Sequence, residues 1–367
     1  MNEPEIRGLC PPEYDKVRET FAANFAADEE LGARFSLAIE GEIVVDLMGG
    51  WADRDRTVPF SEATLTPIHS TTKALAALMV ARLVAAGKLD YRQTMAGVWP
   101  EFAAAGKAAI TVEQALSHQA GLAGFPEPMD PALWFDNDAI CAKLAAMTPL
   151  WPPGTASGYH PMTFGYLAGE IFRRIDGRTI GRALAEDVAA PLGLDLWIGL
   201  PESEHARCAE TMKPRQLPRF GPPNPALAAA FQKPWSTAGG RSITEWRKAE
   251  IPSANGHATA EALARLMAIL ATDTLGMAEA AGAERIRGQD LVLPFEISWA
   301  AGFMRNPPNL FLGPGEQTFG HYGRGGSCAF ADPERGVSGA YVMNRESHHI
   351  IGDPRAVRLI EAAYSGL

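Results

Sequence analysis

The chain has 367 residues, 47 % of them apolar and 21 % charged, enough to bury a sizeable core and fill two structural lobes. Thirty-three basic residues against 43 acidic ones give a net charge of −10, which argues against nucleic acid and anionic membrane as partners. No apolar run approaches the roughly 18 residues of a membrane span.

The first residues, Met1-Asn2-Glu3-Pro4-Glu5-Ile6-Arg7, have neither a basic n-region nor an apolar h-region. A cytoplasmic location is therefore expected, and a periplasmic cell-wall role is disfavoured. Residues 11–28 read as an amphipathic helix with Val17, Phe21 and Phe25 on one side. Residues 34–39 and 42–47 read as two strands joined by the turn Glu40-Gly41. Ser70-Thr71-Thr72-Lys73 then opens an apolar helix that stops near Gly87. Residues 90–250 are mostly helical pieces broken by Pro and Gly, among them an amphipathic helix over 163–174. The stretch 213–240 holds six prolines and reads as a long irregular excursion, a kind of segment that is often functional. Helix returns over 258–271. Residues 327–331 and 337–343 form a hairpin around Asp332-Pro333-Glu334-Arg335-Gly336, and a helix over 353–364 closes the chain.

This order predicts an α+β fold. One antiparallel sheet, flanked by helices, is built from both chain ends, 1–65 and 272–367. Residues 66–271 form a mainly helical second lobe that includes the 213–240 excursion. A cleft between the lobes is the natural place for an active site.

Ser70 and Lys73 are the strongest chemical signal. A helix advances about 100° per residue, so positions three apart share a face and the Lys73 amine lies beside the Ser70 hydroxyl. A serine needs a base to take its proton, and an amine serves as one only when burial lowers its pKa. The helix after Ser70 is apolar on nearly every face, which predicts that burial. Its N-terminus offers free N–H groups to a developing oxyanion. Fourteen Ser and eight Lys give about 0.3 such pairs by chance, and a capping Ser with a solvated Lys is the plainer alternative.

Tyr159 sits in the Pro/Gly loop 151–161, just before the 163–174 helix. Its hydroxyl, placed near a lysine, can relay a proton, whereas ring packing is the plainer alternative. His321-Tyr322-Gly323-Arg324-Gly325-Gly326 precedes the 327–331 strand. Glycines there let backbone approach a ligand closely, and the strand edge can supply a second oxyanion donor opposite Ser70. The plainer alternative is a flexible strand entry. Cys10, Cys141, Cys208 and Cys328 lack metal spacing and read as reduced thiols. The eight histidines form no HExxH-type cluster, so neither a metal nor another cofactor is expected.

The serial order SxxK, then Tyr159, then His-x-Gly before a late strand resembles the serine β-lactamase and penicillin-binding-protein superfamily. Leu116-Ser117-His118-Gln119-Ala120-Gly121-Leu122, Pro153-Gly154, Asn255-Gly256-His257 and Phe330-Ala331-Asp332-Pro333 add to the match. Within it the chain is similar to the family VIII carboxylesterases, which share the class C β-lactamase fold. The resemblance implies Ser70 as nucleophile, Lys73 as its base and Tyr159 as the proton shuttle to the leaving group. It implies an oxyanion hole from the Ser70 and Arg324 N–H groups, and substrate binding by His321, Tyr322 and Gly323. Two motifs depart from the β-lactamase pattern. Tyr-x-Asn has become Tyr159-His160-Pro161, which removes the amide that holds a lactam side chain. Lys-Thr-Gly has become His321-Tyr322-Gly323, which removes the cation and hydroxyl that clamp a lactam carboxylate.

The expected activity is therefore a serine hydrolase that cleaves short-acyl carboxylic esters through an acyl-enzyme, with weak or no β-lactam hydrolysis. A small-molecule ester is the expected partner. Phe125, Trp235 and Trp299 are candidates for the acyl-pocket wall. The alternatives are a β-lactamase or D-amino-acid peptidase, an acyltransferase, and a catalytically silent scaffold. An α/β-hydrolase is excluded, because no serine sits in Gly-x-Ser-x-Gly.

Overall fold

A computed structural model describes residues 5–306 and 312–367. The first six strands are β1 (Ile6–Leu9), β2 (Gly32–Ile39), β3 (Glu42–Gly50), β4 (Thr66–His69), β5 (Leu196–Trp197) and β6 (Gly256–Ala258). The remainder are β7 (Ile286–Gln289), β8 (Glu296–Trp299), β9 (Met304–Arg305), β10 (Phe319–Tyr322), β11 (Cys328–Asp332) and β12 (Val337–Met343). Nine of them form one antiparallel sheet in the order β1-β3-β2-β12-β11-β10-β9-β8-β7. The last strand of the chain thus pairs with one of the first, Tyr341 opposite Phe35, so both ends build a single sheet.

Period-two alternation gives that sheet two different faces. Ala329, Ala331, Ala340 and Val342 pack with the large apolar cluster on one side. Small side chains there let the helix 260–271 lie close, and Ser338 Oγ donates to its Ala264 carbonyl at 2.8 Å. Phe35, Leu37, Phe330 and Tyr341 point the other way, into a second core with Val17, Phe21, Leu359 and Ile360. Those last four come from the helices α1 (Asp15–Ala26) and 354–364, which pack on each other.

Several predicted features sit where the sequence places them. Glu40 and Gly41 both have positive φ, 50° and 85°, as a two-residue hairpin turn requires. The apolar helix α2 (Thr72–Ala85) ends before Gly87, whose φ is +67°. The helix expected over 11–28 is shorter: Pro11 and Pro12 favour a 3₁₀ turn, Pro12–Tyr14, and α1 follows. The stretch 66–271 is mainly helical but also carries a three-stranded sheet, β4-β6-β5. Those strands have two to four residues, too few to show a period in the sequence. Helix α2 packs against α3 (Thr163–Asp176) and also reaches β10. The Ser70-Thr71-Thr72-Lys73 segment therefore lies where α2 meets the large sheet.

Candidate active site

Ser70 lies in the turn between β4 and α2, two residues before the helix begins. His69, just before it, has φ +44°, an unusual value for a non-glycine residue. The turn closes with three-residue hydrogen bonds, Lys73 N to Ser70 O and Ala74 N to Thr71 O, both 3.0 Å. That winding brings Lys73 Nζ to 3.2 Å from Ser70 Oγ. The amine also donates to the Pro161 and Ser253 carbonyls at 2.8 Å each. Lys73 is completely buried, and burial holds its amine well below the ordinary lysine range.

Tyr159 closes the group from the other side. Its ring lies under the Lys73 amine, 4.8 Å from Nζ to the centroid. Burial raises the phenol above its ordinary value, more than the nearby Ser70 hydroxyl lowers it. Its ring stacks on Trp299 at 5.8 Å with a 5° tilt. One buried carboxylate holds both: Asp290 Oδ1 accepts from the Tyr159 N–H at 3.0 Å, and Oδ2 accepts from Trp299 Nε1 at 3.2 Å.

Three buried histidines surround these rings and are neutral. His321 Nδ1–H donates to the Tyr322 carbonyl at 2.6 Å, which leaves Nε2 as a buried acceptor with no partner among the described residues. Burial, then the nearby Lys73, pushes its imidazole down to about 3. His160 accepts from Leu122 N at 3.0 Å and donates to Gly158 O at 2.6 Å, and burial pushes it to about 3. Both ring nitrogens are thus occupied in fixing the 158–161 loop. His118 Nδ1 accepts from His160 N at 3.1 Å, and its ring meets Trp299 edge-on at 4.2 Å.

The strand end after His321 closes over the turn that carries Ser70. Gly323 approaches so closely that a Cβ would lie 2.3 Å from the Ile68 carbonyl and 2.2 Å from Ser327 Oγ. Ser327 Oγ donates to Ile68 O at 2.9 Å and lies 3.1 Å from Thr71 Oγ1. The backbone N–H groups of Ser70 and Arg324, on the two sides of this seam, carry no hydrogen bond among the described residues.

The other sequence candidates are placed differently. Tyr322 alternates to the opposite sheet face from His321 and is buried near Cys328 and Asp353. Trp235 Nε1 donates to Phe125 O at 2.9 Å, and Trp134 Nε1 donates to Trp235 O at 2.8 Å. Phe125 and Trp235 thus join a cluster around Trp134, and no ring contact among the described residues ties them to Tyr159. Trp299 does meet Tyr159, and so does Phe231 of the Pro-rich excursion, 6.4 Å away and tilted 28°. Phe220 packs on Phe231 at 4.8 Å. Sequence reading missed Asp290, Phe231 and Glu346, whose carboxylate meets His69 and Arg324. Only the proline-rich stretch 213–240, read as an irregular segment of a kind that is often functional, pointed toward one of them, Phe231.

A beta-lactamase family model matches residues 17–362. The "Esterase/beta-lactamase LipL" of Mycobacterium tuberculosis is 32% identical over 366 residues, covering 93% of this chain and 83% of its own. The crystal structure of a penicillin-binding protein homologue from Caulobacter crescentus superposes with a TM-score of 0.97 at 66% identity. It covers 99% of this chain and 100% of its own. A family VIII carboxylesterase structure gives a TM-score of 0.92 at 44% identity, with the same 99% and 100% coverage. The chain therefore belongs to the beta-lactamase family and carries its fold.

Proposed function

We propose that the protein is a carboxylesterase that cleaves short-acyl esters through an acyl-enzyme on Ser70. The observation that carries this reading is the set of three oxygens around Lys73 Nζ: Pro161 O, Ser253 O and Ser70 Oγ. A neutral amine has two N–H groups and one lone pair. The two carbonyls take the N–H groups, and the lone pair is left for the Ser70 proton. Burial favours that neutral form, because it lowers the amine well below the ordinary lysine range. Ser70 Oγ attacks the ester carbonyl as its proton passes to Lys73. The Ser70 and Arg324 N–H groups take up the oxyanion. Tyr159, kept protonated by burial, gives its proton to the leaving alcohol and is recharged from the Lys73 ammonium. Water then repeats the attack on the acyl-enzyme and releases the acid.

The site's polarity supports uncharged esters over β-lactams. Phe231, Trp299 and the neutral His321 pack around Tyr159, and Phe220 packs on Phe231, so the surroundings of the Tyr159 ring are apolar and uncharged. His321 Nε2 is an acceptor, so it repels the carboxylate that a β-lactam carries. Pro161 spends its carbonyl on Lys73 and has no amide side chain to offer. The relative named a family VIII carboxylesterase is consistent with ester cleavage, whereas the name "Esterase/beta-lactamase LipL" covers both substrate classes. The test is a panel of p-nitrophenyl acetate, butyrate and octanoate with nitrocefin and ampicillin. The expected order places the two short esters first, with nitrocefin lower by at least about 10²-fold in kcat/KM. A nitrocefin or ampicillin value equal to that of the short esters overturns it.

A further inference from the structure

The two N–H groups assigned to the oxyanion come from segments far apart in the chain. Ser70 follows β4, and Arg324 follows β10. Their spacing decides how well an oxyanion is held. The Glu346 side chain, from a third segment, touches both. Glu346 Oε1 accepts from His69 Nε2 at 2.9 Å, at the residue next to Ser70. Its two oxygens also lie 3.4 Å from Arg324 Nη2.

Glu346 is itself fixed. Its side chain is only 4% exposed. Its N–H donates to Met212 O at 2.8 Å, and the next N–H, of Ser347, donates to Gly325 O at 2.9 Å. Gly325 has φ +88°, and a Cβ there would lie 2.6 Å from Glu346 Cγ. The loop 323–326 is therefore shaped around this carboxylate. Burial pushes the carboxyl up, but His69 and Arg324 outweigh that and leave it lowered. His69, whose backbone is left-handed next to Ser70, is the residue whose side chain bonds Glu346.

We propose that Glu346 is a positioning residue of the oxyanion hole, acting through His69 and Arg324 to set the gap between the Ser70 and Arg324 N–H groups. The proposal rests on the esterase reading above, which assigns those two N–H groups. Glu346 touches neither Ser70 Oγ nor Lys73 among the contacts of the described residues, so its effect is on geometry and not on proton transfer.

The test uses Glu346→Ala, Glu346→Gln and His69→Asn. Asn tolerates the left-handed backbone but is too short to reach Glu346. Active sites are titrated with a fluorophosphonate, so that kcat is counted per competent molecule. Loss of a positioning contact should lower kcat for p-nitrophenyl butyrate by about 10–100-fold, with KM changed less than about twofold. Affinity for phenylboronic acid, whose tetrahedral adduct places an oxygen in the same hole, should fall in parallel. Glu346→Gln keeps an acceptor for His69 and should recover most of the loss. His69→Asn should match Glu346→Ala, and the double variant should be no worse than either. A purely structural role would lower the titrated fraction and the melting temperature while kcat per site stays at wild type, and that result overturns the proposal. Multiplied losses in the double variant also overturn it. If the wild type turns over no ester, the esterase reading fails, while boronate affinity across the same variants still decides the role of Glu346.

Discussion

In the proposed mechanism Lys73 serves as a base only while its amine is neutral, so catalysis should follow its protonation. Activity is expected to rise with pH along an acid limb whose midpoint lies well below 10.5, the ordinary lysine value. A kcat/KM profile with p-nitrophenyl butyrate reads this directly, and a limb centred near 10.5 would remove Lys73 from the role. Tyr159→Phe keeps the ring on Trp299 and removes the hydroxyl at Ser70. Its kcat should fall by about 10²–10⁴-fold with little change in melting temperature. Asp290→Asn tests how that ring is held. The amide keeps an acceptor for the Tyr159 N–H but turns a donor toward Trp299 Nε1. About a tenfold loss of kcat in a folded protein is expected from the displaced ring pair. Wild-type turnover would show that Asp290 supports only the loop 290–293, whose Val292 and Leu293 N–H groups it also accepts.

Among the elements, the seam between β10 and the β4–α2 turn is the most sensitive. Gly323 has no room for a side chain against Ile68 O, a backbone atom. Gly323→Ala should push the 323–327 strand entry off the nucleophile turn and cut kcat by at least about 10²-fold. Steady-state kinetics on the folded variant checks this, and near wild-type kcat would mean that the seam does not set the site. How far the elements were legible depends on their length and on sequence distance. The hairpins 32–50 and 328–343 and the helices α2 and α3 announce themselves through turn residues and sustained periodicity. Strands β4, β5 and β6 do not, because two to four residues carry no period. Ser70, Lys73 and Tyr159 stood out because helix spacing and loop chemistry are local signals. Glu346 and Asp290 did not, because their partners lie 277 and 131 positions away and only the sheet topology brings them together.

At the scale of the whole molecule, the sheet joins both chain ends through β2 and β12, and a buried charge cluster lies beside that joint. Arg355 bonds Glu30 at 3.1 Å and Asp353 at 2.8 Å, and Tyr341 donates to Glu30. Burial raises the Glu30 carboxyl from 4.5 to about 7, against the pull of Arg355 and Tyr341. The folded state thus holds this proton more tightly than the unfolded chain. Its stabilising contribution is complete below about pH 4.5 and lost as pH rises through about 7. Thermal melts across that range should show wild type losing stability relative to Glu30→Gln, and parallel curves would contradict the assignment. The same global fold carries the central claim, that Ser70 is acylated by an ester with Lys73 as its base. Mass spectrometry of the intact protein and of its proteolytic peptides, after rapid quenching of a p-nitrophenyl butyrate reaction, tests it most directly. The expected result is one butyryl group on the peptide containing Ser70, transient in wild type, slow to form in Lys73→Met and absent in Ser70→Ala. Wild-type turnover with no adduct on that peptide, or undiminished turnover by folded Ser70→Ala, would contradict it.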